Sequence, residues 1–133
     1  MIYSYLEGRL GNILFEIATG ASLAKRMNVP FKALICSPEL LGKPDSCLMS
    51  EYVEPFRRSI LRNVDLSDQF PENQKVYKEP TFHYRALPAE KDILLKGFFQ
   101  SEKYFDEKVV RDLFRKIRIH CLIYKKSMVI YWI

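Results

Sequence analysis

The sequence predicts an α/β fold with a parallel sheet, and three observations predict it. A short apolar run, Ile2 to Leu6, passes through Gly8-Arg9-Leu10-Gly11-Asn12 into a segment of helical period. A second apolar run follows at Phe31 to Cys36, about the spacing a strand–helix–strand crossover needs. Far along the chain Ile93 to Phe99 forms another apolar run, again followed by a helical period. Strands alternating with helices argue for α/β, with right-handed crossovers.

Ile2-Tyr3-Ser4-Tyr5-Leu6, ended by Glu7 and Gly8, has the profile of a buried first strand. From Ile13 the period changes, with Ile13, Leu14, Ile17, Ala18, Ala21 and Ala24 at three- and four-residue steps. Glu16, Lys25 and Arg26 fall on other faces, so an amphipathic helix with cations in its last turn is expected. Asn28 closes it and Pro30 prevents continuation. Phe31, Ala33 and Ile35 alternate with Lys32, Leu34 and Cys36 as a second strand.

The middle carries weaker signals. Residues 37–50 read as loop, with two prolines and a glycine. Glu51 to Asn63 is expected to be helical, with Tyr52, Phe56, Ile60 and Leu61 on one side and Arg57, Arg58 and Arg62 on a solvated face. Pro55 restricts that helix to starting close by. Ser67 to Leu87 is loop-like, with a brief strand at Val76 and Tyr77. After the strand at Ile93, the residues Val109, Val110, Leu113, Phe114 and Ile117 recur at helical spacing, with Asp106 or Ser101 as caps.

Composition narrows the function classes. The formal charge is +5, yet residues 1–115 carry 17 basic against 16 acidic residues, so the excess sits in residues 116–133. A nucleic-acid binder would show a basic stripe through its folded body, and none is expected here. Cys36, Cys47 and Cys121 are odd in number and lack CxxC spacing, which argues against a disulfide framework or a zinc site. Free thiols, no signal-peptide pattern and no apolar run near 20 residues make the expectation a cytoplasmic protein without a membrane span. No metal site is expected.

The turn Gly8-Arg9-Leu10-Gly11-Asn12 is the first chemical candidate. Two glycines let the backbone approach a ligand, the helix N-terminus offers N–H groups to an anion, and Arg9 suits phosphate. A tight βα turn with no ligand explains the glycines equally well, since the third glycine of a dinucleotide fingerprint is lacking. His83 is a candidate general base toward a hydroxyl, set against a loop histidine packed beside Phe82 and Tyr84. Glu102 and Lys103 are candidate substrate contacts, set against an ion-paired helix start, and Cys36 and Cys47 have no nearby His partner.

Gly8 to Phe15, with Ser22-Leu23-Ala24-Lys25-Arg26 and Val29-Pro30, resembles the opening motif of family-11 glycosyltransferases, the bacterial galactoside α-1,2-fucosyltransferases. Glu79-Pro80-Thr81-Phe82-His83-Tyr84 is similar to that family's Glu-x-x-Phe-x-Tyr element. The stretch from Leu95 to Phe105 is similar to its Leu-x-Gly-Tyr-Phe-Gln-Ser-Glu-Lys-Tyr-Phe segment. The resemblance covers residues 1–115 and implies a Rossmann-like N-terminal half of a two-lobe, GT-B type enzyme. It also implies metal-independent, inverting transfer of fucose from GDP-fucose to the 2-hydroxyl of a galactoside, with no bound cofactor. Gly8, Arg9, Gly11 and Asn12 would then face the donor.

There are departures. Ile13 stands where the family has Gln, and His120 is followed by Cys121-Leu122-Ile123-Tyr124 instead of the arginines of His-x-Arg-Arg-x-Asp. That motif would grip the diphosphate. Residues 116–133 end on Met-Val-Ile-Tyr-Trp-Ile, an apolar hexamer suited to self-association if exposed. The expectation is a truncated chain, inactive alone. The alternative is a non-enzymatic binding or assembly module on the same fold.

Overall fold

The computed structural model describes residues 1–35 and 53–114. Cys36, Cys47, Cys121, His120 and the apolar tail lie outside the described residues, as does the self-association expected of that tail. Five parallel strands form one sheet: β1 (Ile2–Tyr5), β2 (Phe31–Leu34), β3 (Leu66–Ser67), β4 (Val76–Lys78) and β5 (Ile93–Lys96). Their order is β3-β2-β1-β5-β4, so the general α/β expectation holds. The first three strands run as in a doubly wound sheet; beyond β1 the order is reversed, with β5 inside β4.

Helix α1 (Leu10–Met27) makes the crossover from β1 to β2. It starts three residues before the periodicity suggests, which places Gly11 and Asn12 inside its first turn. Asn28 ends it in the left-handed conformation, its N–H bonded to the carbonyls of Ala24 and Lys25, as the sequence predicts. The amphipathic expectation needs correction: every residue from Ile13 to Ala24 is buried, Glu16 included. Gly20, Ala21 and Ser22 are small enough for neighbours to close over faces that helical periodicity assigns to water. Gly20 shows how close. A methyl group there would lie 2.1 Å from Ser4 Oγ and 2.5 Å from the Phe31 ring.

The expected helix over Glu51–Asn63 is also corrected from Val53 onward, while Glu51 and Tyr52 lie outside the described residues. A 3-10 turn spans Glu54–Phe56 with Pro55 in its first turn, and turns continue to Asn63. The backbone bonds there reach back three residues (Ser59 to Phe56) or five (Leu61 to Phe56), so no regular i−4 ladder forms. The apolar side was still read correctly, since Ile60 and Leu61 are buried and Arg57, Arg58 and Arg62 are exposed. Arg57 pairs with Glu54 at 2.7 Å.

After β5 a 3-10 turn, Glu102–Tyr104, leads into α2 (Glu107–Leu113). Both expected caps are used. Ser101 accepts from the Lys103 N–H, and Asp106 from the Lys108 N–H at 2.9 Å. The Asp106 N–H in turn donates to buried Ser22 Oγ at 2.9 Å, docking the start of α2 on α1. Two core clusters result. One joins α1, Ala33, Ile60, Leu61, Val110 and Phe114; the other joins Ile2, Leu23, Ile93, Leu95, Phe99 and Tyr104. Among the described residues no helix is long and apolar enough to cross a membrane.

The Gly20 contact predicts a mutational contrast. Gly20→Ala is expected to destabilise by about 1–3 kcal/mol, because Ser4 Oγ is held by a 2.9 Å bond to the Glu16 carbonyl. Gly11→Ala, with nothing within 4 Å, is expected to be neutral or stabilising by about 0.5–1 kcal/mol. Urea unfolding of the two variants checks this.

Candidate functional site

β1 ends at Tyr5, and the chain turns sharply before α1 begins at Leu10. Gly8 carries the turn at φ 84°, a left-handed backbone that a side chain resists. A methyl group on it would also lie 2.6 Å from Asn12 Nδ2 and 3.2 Å from the Phe98 ring. Arg9 is the N-cap residue, extended and exposed, and no side chain caps the helix. The first intrahelical bond runs from the Ile13 N–H to the Arg9 carbonyl, so the N–H groups of Leu10, Gly11 and Asn12 have no intrahelical acceptor. The turn is thus tighter than its sequence suggests, with Gly8 and Arg9 forming it.

Beneath it sits Glu16, which sequence reading placed on a polar face. Its side chain is buried, and both carboxyl oxygens accept from the Glu7 N–H at 3.1 Å. Burial pushes its pKa up to about 10; the Glu7 N–H opposes the rise and the Glu7 charge adds to it. Glu16 is therefore a neutral carboxylic acid at pH 7, tethering the last residue before Gly8.

The loop after β5 stands beside this turn. Gly97 and Phe99 both have positive φ, at 155° and 48°. Phe99 holds that left-handed conformation because its N–H donates to Glu79 Oε2 at 3.1 Å and its ring is buried. The ring stacks on Tyr77 and meets Tyr104 edge-on at 5.2 Å. Burial raises the pKa of Glu79, partly offset by the N–H groups of Phe99 and Phe98. One residue on, Gln100 Nε2 donates to Asn12 Oδ1 and links the two loops.

Between these loops and the end of β4 lies a cleft of about 300 Å³, walled by Glu7, Lys78, Glu79, Phe82, Lys96 and Phe98. It opens at the carboxyl ends of β1, β5 and β4, the edge where open α/β sheets bind ligands. Lys78 and Lys96 are register partners, and Lys96 Nζ sits 5.3 Å from the centre of the Tyr5 ring. Phe82 is 80% exposed on the lip. A second hollow, of about 320 Å³, lies at the far end of α1 around Lys25, Phe31 and Val109, away from the Gly8 turn.

Of the sequence-predicted residues, Gly8 adjoins the cleft through Glu7 and Phe98, and Asn12 borders the β5 loop through Gln100. Arg9 and Gly11 are exposed at the helix start. His83 is exposed and does not line the cleft; its N–H and carbonyl are bonded to Thr81 Oγ1, and Tyr104 donates to its carbonyl. Lys103 lies 5.8 Å from the Tyr84 ring centre rather than in an ion pair with Glu102. Glu7, Lys78, Glu79 and Lys96 were missed as site residues, because three separate strand ends bring them together. No protein-family model, curated protein or solved structure matches this chain.

Glu16 gives a pH prediction. Between its ordinary pKa of 4.5 and about 10, the folded chain keeps a proton that the unfolded chain has released. Stability from this group is therefore complete below about 4.5 and is lost as pH rises, by up to about 1.4 kcal/mol per unit. Glu16→Gln keeps an oxygen for the Glu7 N–H and removes the proton. Urea unfolding at pH 5, 7 and 9 should show the variant gaining on the parent as pH rises; parallel profiles would contradict a neutral Glu16.

Proposed function

We propose that these residues form the N-terminal, Rossmann-like lobe of a GT-B type galactoside α-1,2-fucosyltransferase, using GDP-fucose as donor. The observation that carries the reading is convergence. Three segments that resemble family-11 motifs, Gly8–Phe15, Glu79–Tyr84 and Leu95–Phe105, are remote in sequence yet adjoin one cleft at the carboxyl edge of the sheet. Parallel pairing of β1, β5 and β4 brings the chain after each strand to that edge, so the support lies in which residues are offered there.

In this proposal the Gly8–Asn12 segment lies toward the donor. Arg9 and the N–H groups at the start of α1 supply positive potential to the diphosphate, and Gly8 keeps the backbone low enough for close approach. The acceptor 2-hydroxyl oxygen attacks the anomeric carbon of fucose as the bond to the diphosphate breaks. GDP leaves with the bonding electrons, and the hydroxyl proton passes to a base. Stabilising the departing diphosphate is the dominant catalytic demand. The arginine motif that would meet most of that demand is not found in these 133 residues. On this assignment the chain holds the loop side of the donor site and does not turn over by itself.

Two measurements test the proposal. Calorimetry with GDP should show weak binding that fades from about 0.01 M to about 1 M salt, as the screening length falls from ~30 to ~3 Å. Arg9→Ala should weaken that binding roughly fivefold. Incubation with GDP-fucose and lactose should release no GDP above background. Acceptor-dependent release would overturn the division of labour, and salt-insensitive or absent GDP binding would overturn the donor assignment.

A further inference from the structure

The second hollow, of about 320 Å³, lies between α1, α2 and the chain that enters β3. Its floor is apolar, made by Ala21 of α1, Phe31 of β2, Val64 ahead of β3 and Val109 of α2. Ala21, Val64 and Val109 keep 7–8% of their surface exposed, where most of the core keeps 0–3%. The rim is charged. Among the described residues it carries the carboxylates of Asp65 and Asp112 against one ammonium, Lys25.

The chain leaves α2 at this rim. Leu113 lines the hollow and is the last residue of α2, and its carbonyl accepts from Asn63 Nδ2 at 3.2 Å. A side-chain donor thus takes the place of an N–H from a further helical turn. Phe114 has already left helical dihedrals, at φ −115° and ψ 38°. Past that cap the sequence alternates. Lys116, Arg118 and His120 are separated by Ile117, Ile119 and Cys121, a period of two that would put the apolar three on one face of an extended segment. No acid occurs from 116 to 126, where Lys125 and Lys126 follow. An apolar face flanked by cations complements an apolar floor under a carboxylate-rich rim.

Tethering favours this occupant over a second chain. Four residues span up to about 14 Å when extended, so Ile117 can reach any part of a hollow of this volume from Leu113. A segment held that close meets its site at an effective concentration in the millimolar range, and a small patch suffices. Two separate chains need roughly 20–30 residues a side for a stable interface, far more than the described residues lining the hollow.

We infer that residues 116–121 of this chain dock in the hollow between α1 and α2, with Ile117 and Ile119 against Val64 and Val109 and the cations Lys116 and Arg118 beside Asp65 and Asp112. The inference is independent of the transferase reading. It gives the basic, apolar stretch a site within its own chain, so that self-association requires undocking first.

The test uses the full chain with Cys36→Ser and Cys47→Ser and a nitroxide on Cys121. Broadening of amide resonances should centre on Ala21, Lys25, Val64, Asp65 and Val109 and fall away toward the Gly8 turn. Ile117→Asp with Ile119→Asp should abolish that pattern. Asp65→Lys, at an exposed position, should weaken docking by about two- to fivefold. In the chain with its native cysteines, Ile117→Ser should shift the same amides. Broadening that is absent, centred elsewhere or unchanged in the double variant overturns the docking, and so does an Ile117→Ser spectrum without those shifts. Nitroxide-bearing chain without isotope, mixed with isotope-labelled chain without nitroxide, reads contact between copies. Broadening in that mixture assigns the hollow to a second copy and overturns the inference.

Discussion

Everything in the described structure hangs on the burial of α1 against the sheet. Twelve consecutive residues of that helix, Ile13 to Ala24, are buried, and both core clusters draw on them. Such a helix cannot present a polar face, and its buried polar groups, apart from Thr19 Oγ1, which meets no partner, find theirs inside. The Glu16 carboxyl takes the Glu7 N–H, the Glu16 carbonyl takes Ser4 Oγ, and Ser22 takes the Asp106 N–H. Each of these bonds ties α1 to a different piece of chain, namely the β1 turn, β1 itself and the start of α2. Packing sets where the helix lies; the polar contacts set its rotation and register.

The elements legible in the sequence were those with a long or well-punctuated signal. β1, β2, β5 and both α-helices follow from apolar runs, helical spacing and the stops at Asn28 and Pro30. β3 is two residues long, too short to display any period. The turns after Val53 show a correct apolar side with the wrong backbone, because Ile60 and Leu61 are buried whether the chain there is helical or not. Glu16 misled for a related reason. Helical spacing locates the most apolar stripe, but it does not say how far burial extends beyond it when small residues flank the stripe.

The candidate site was half legible. Glycine spacing pointed to the Gly8 turn, since a left-handed φ after a buried strand leaves a local mark. The cleft left none. Lys78 and Lys96 become neighbours only through the register of β4 on β5, and Glu7 joins them only because β1 lies beside β5. Single-sequence reading has no access to register between strands 18 residues apart or more. Glu79 stood out only as the first residue of a stretch resembling a family element, and its structural role follows from the two backbone N–H groups it meets.

Phe99 combines two demands that ordinary residues meet separately. Its backbone stands at φ 48°, where a non-glycine residue costs on the order of 1–2 kcal/mol. Its ring lies 1% exposed between Tyr77 and Tyr104, and burial of such a side chain gains about 1.5–3 kcal/mol. The two are of similar size, and the bond from the Phe99 N–H to Glu79 adds to the side that holds the conformation. Glycine at this position would relax the backbone and empty the aromatic stack, while leucine or alanine would keep the strain and lose the ring contacts. None of these three residues meets both demands at once.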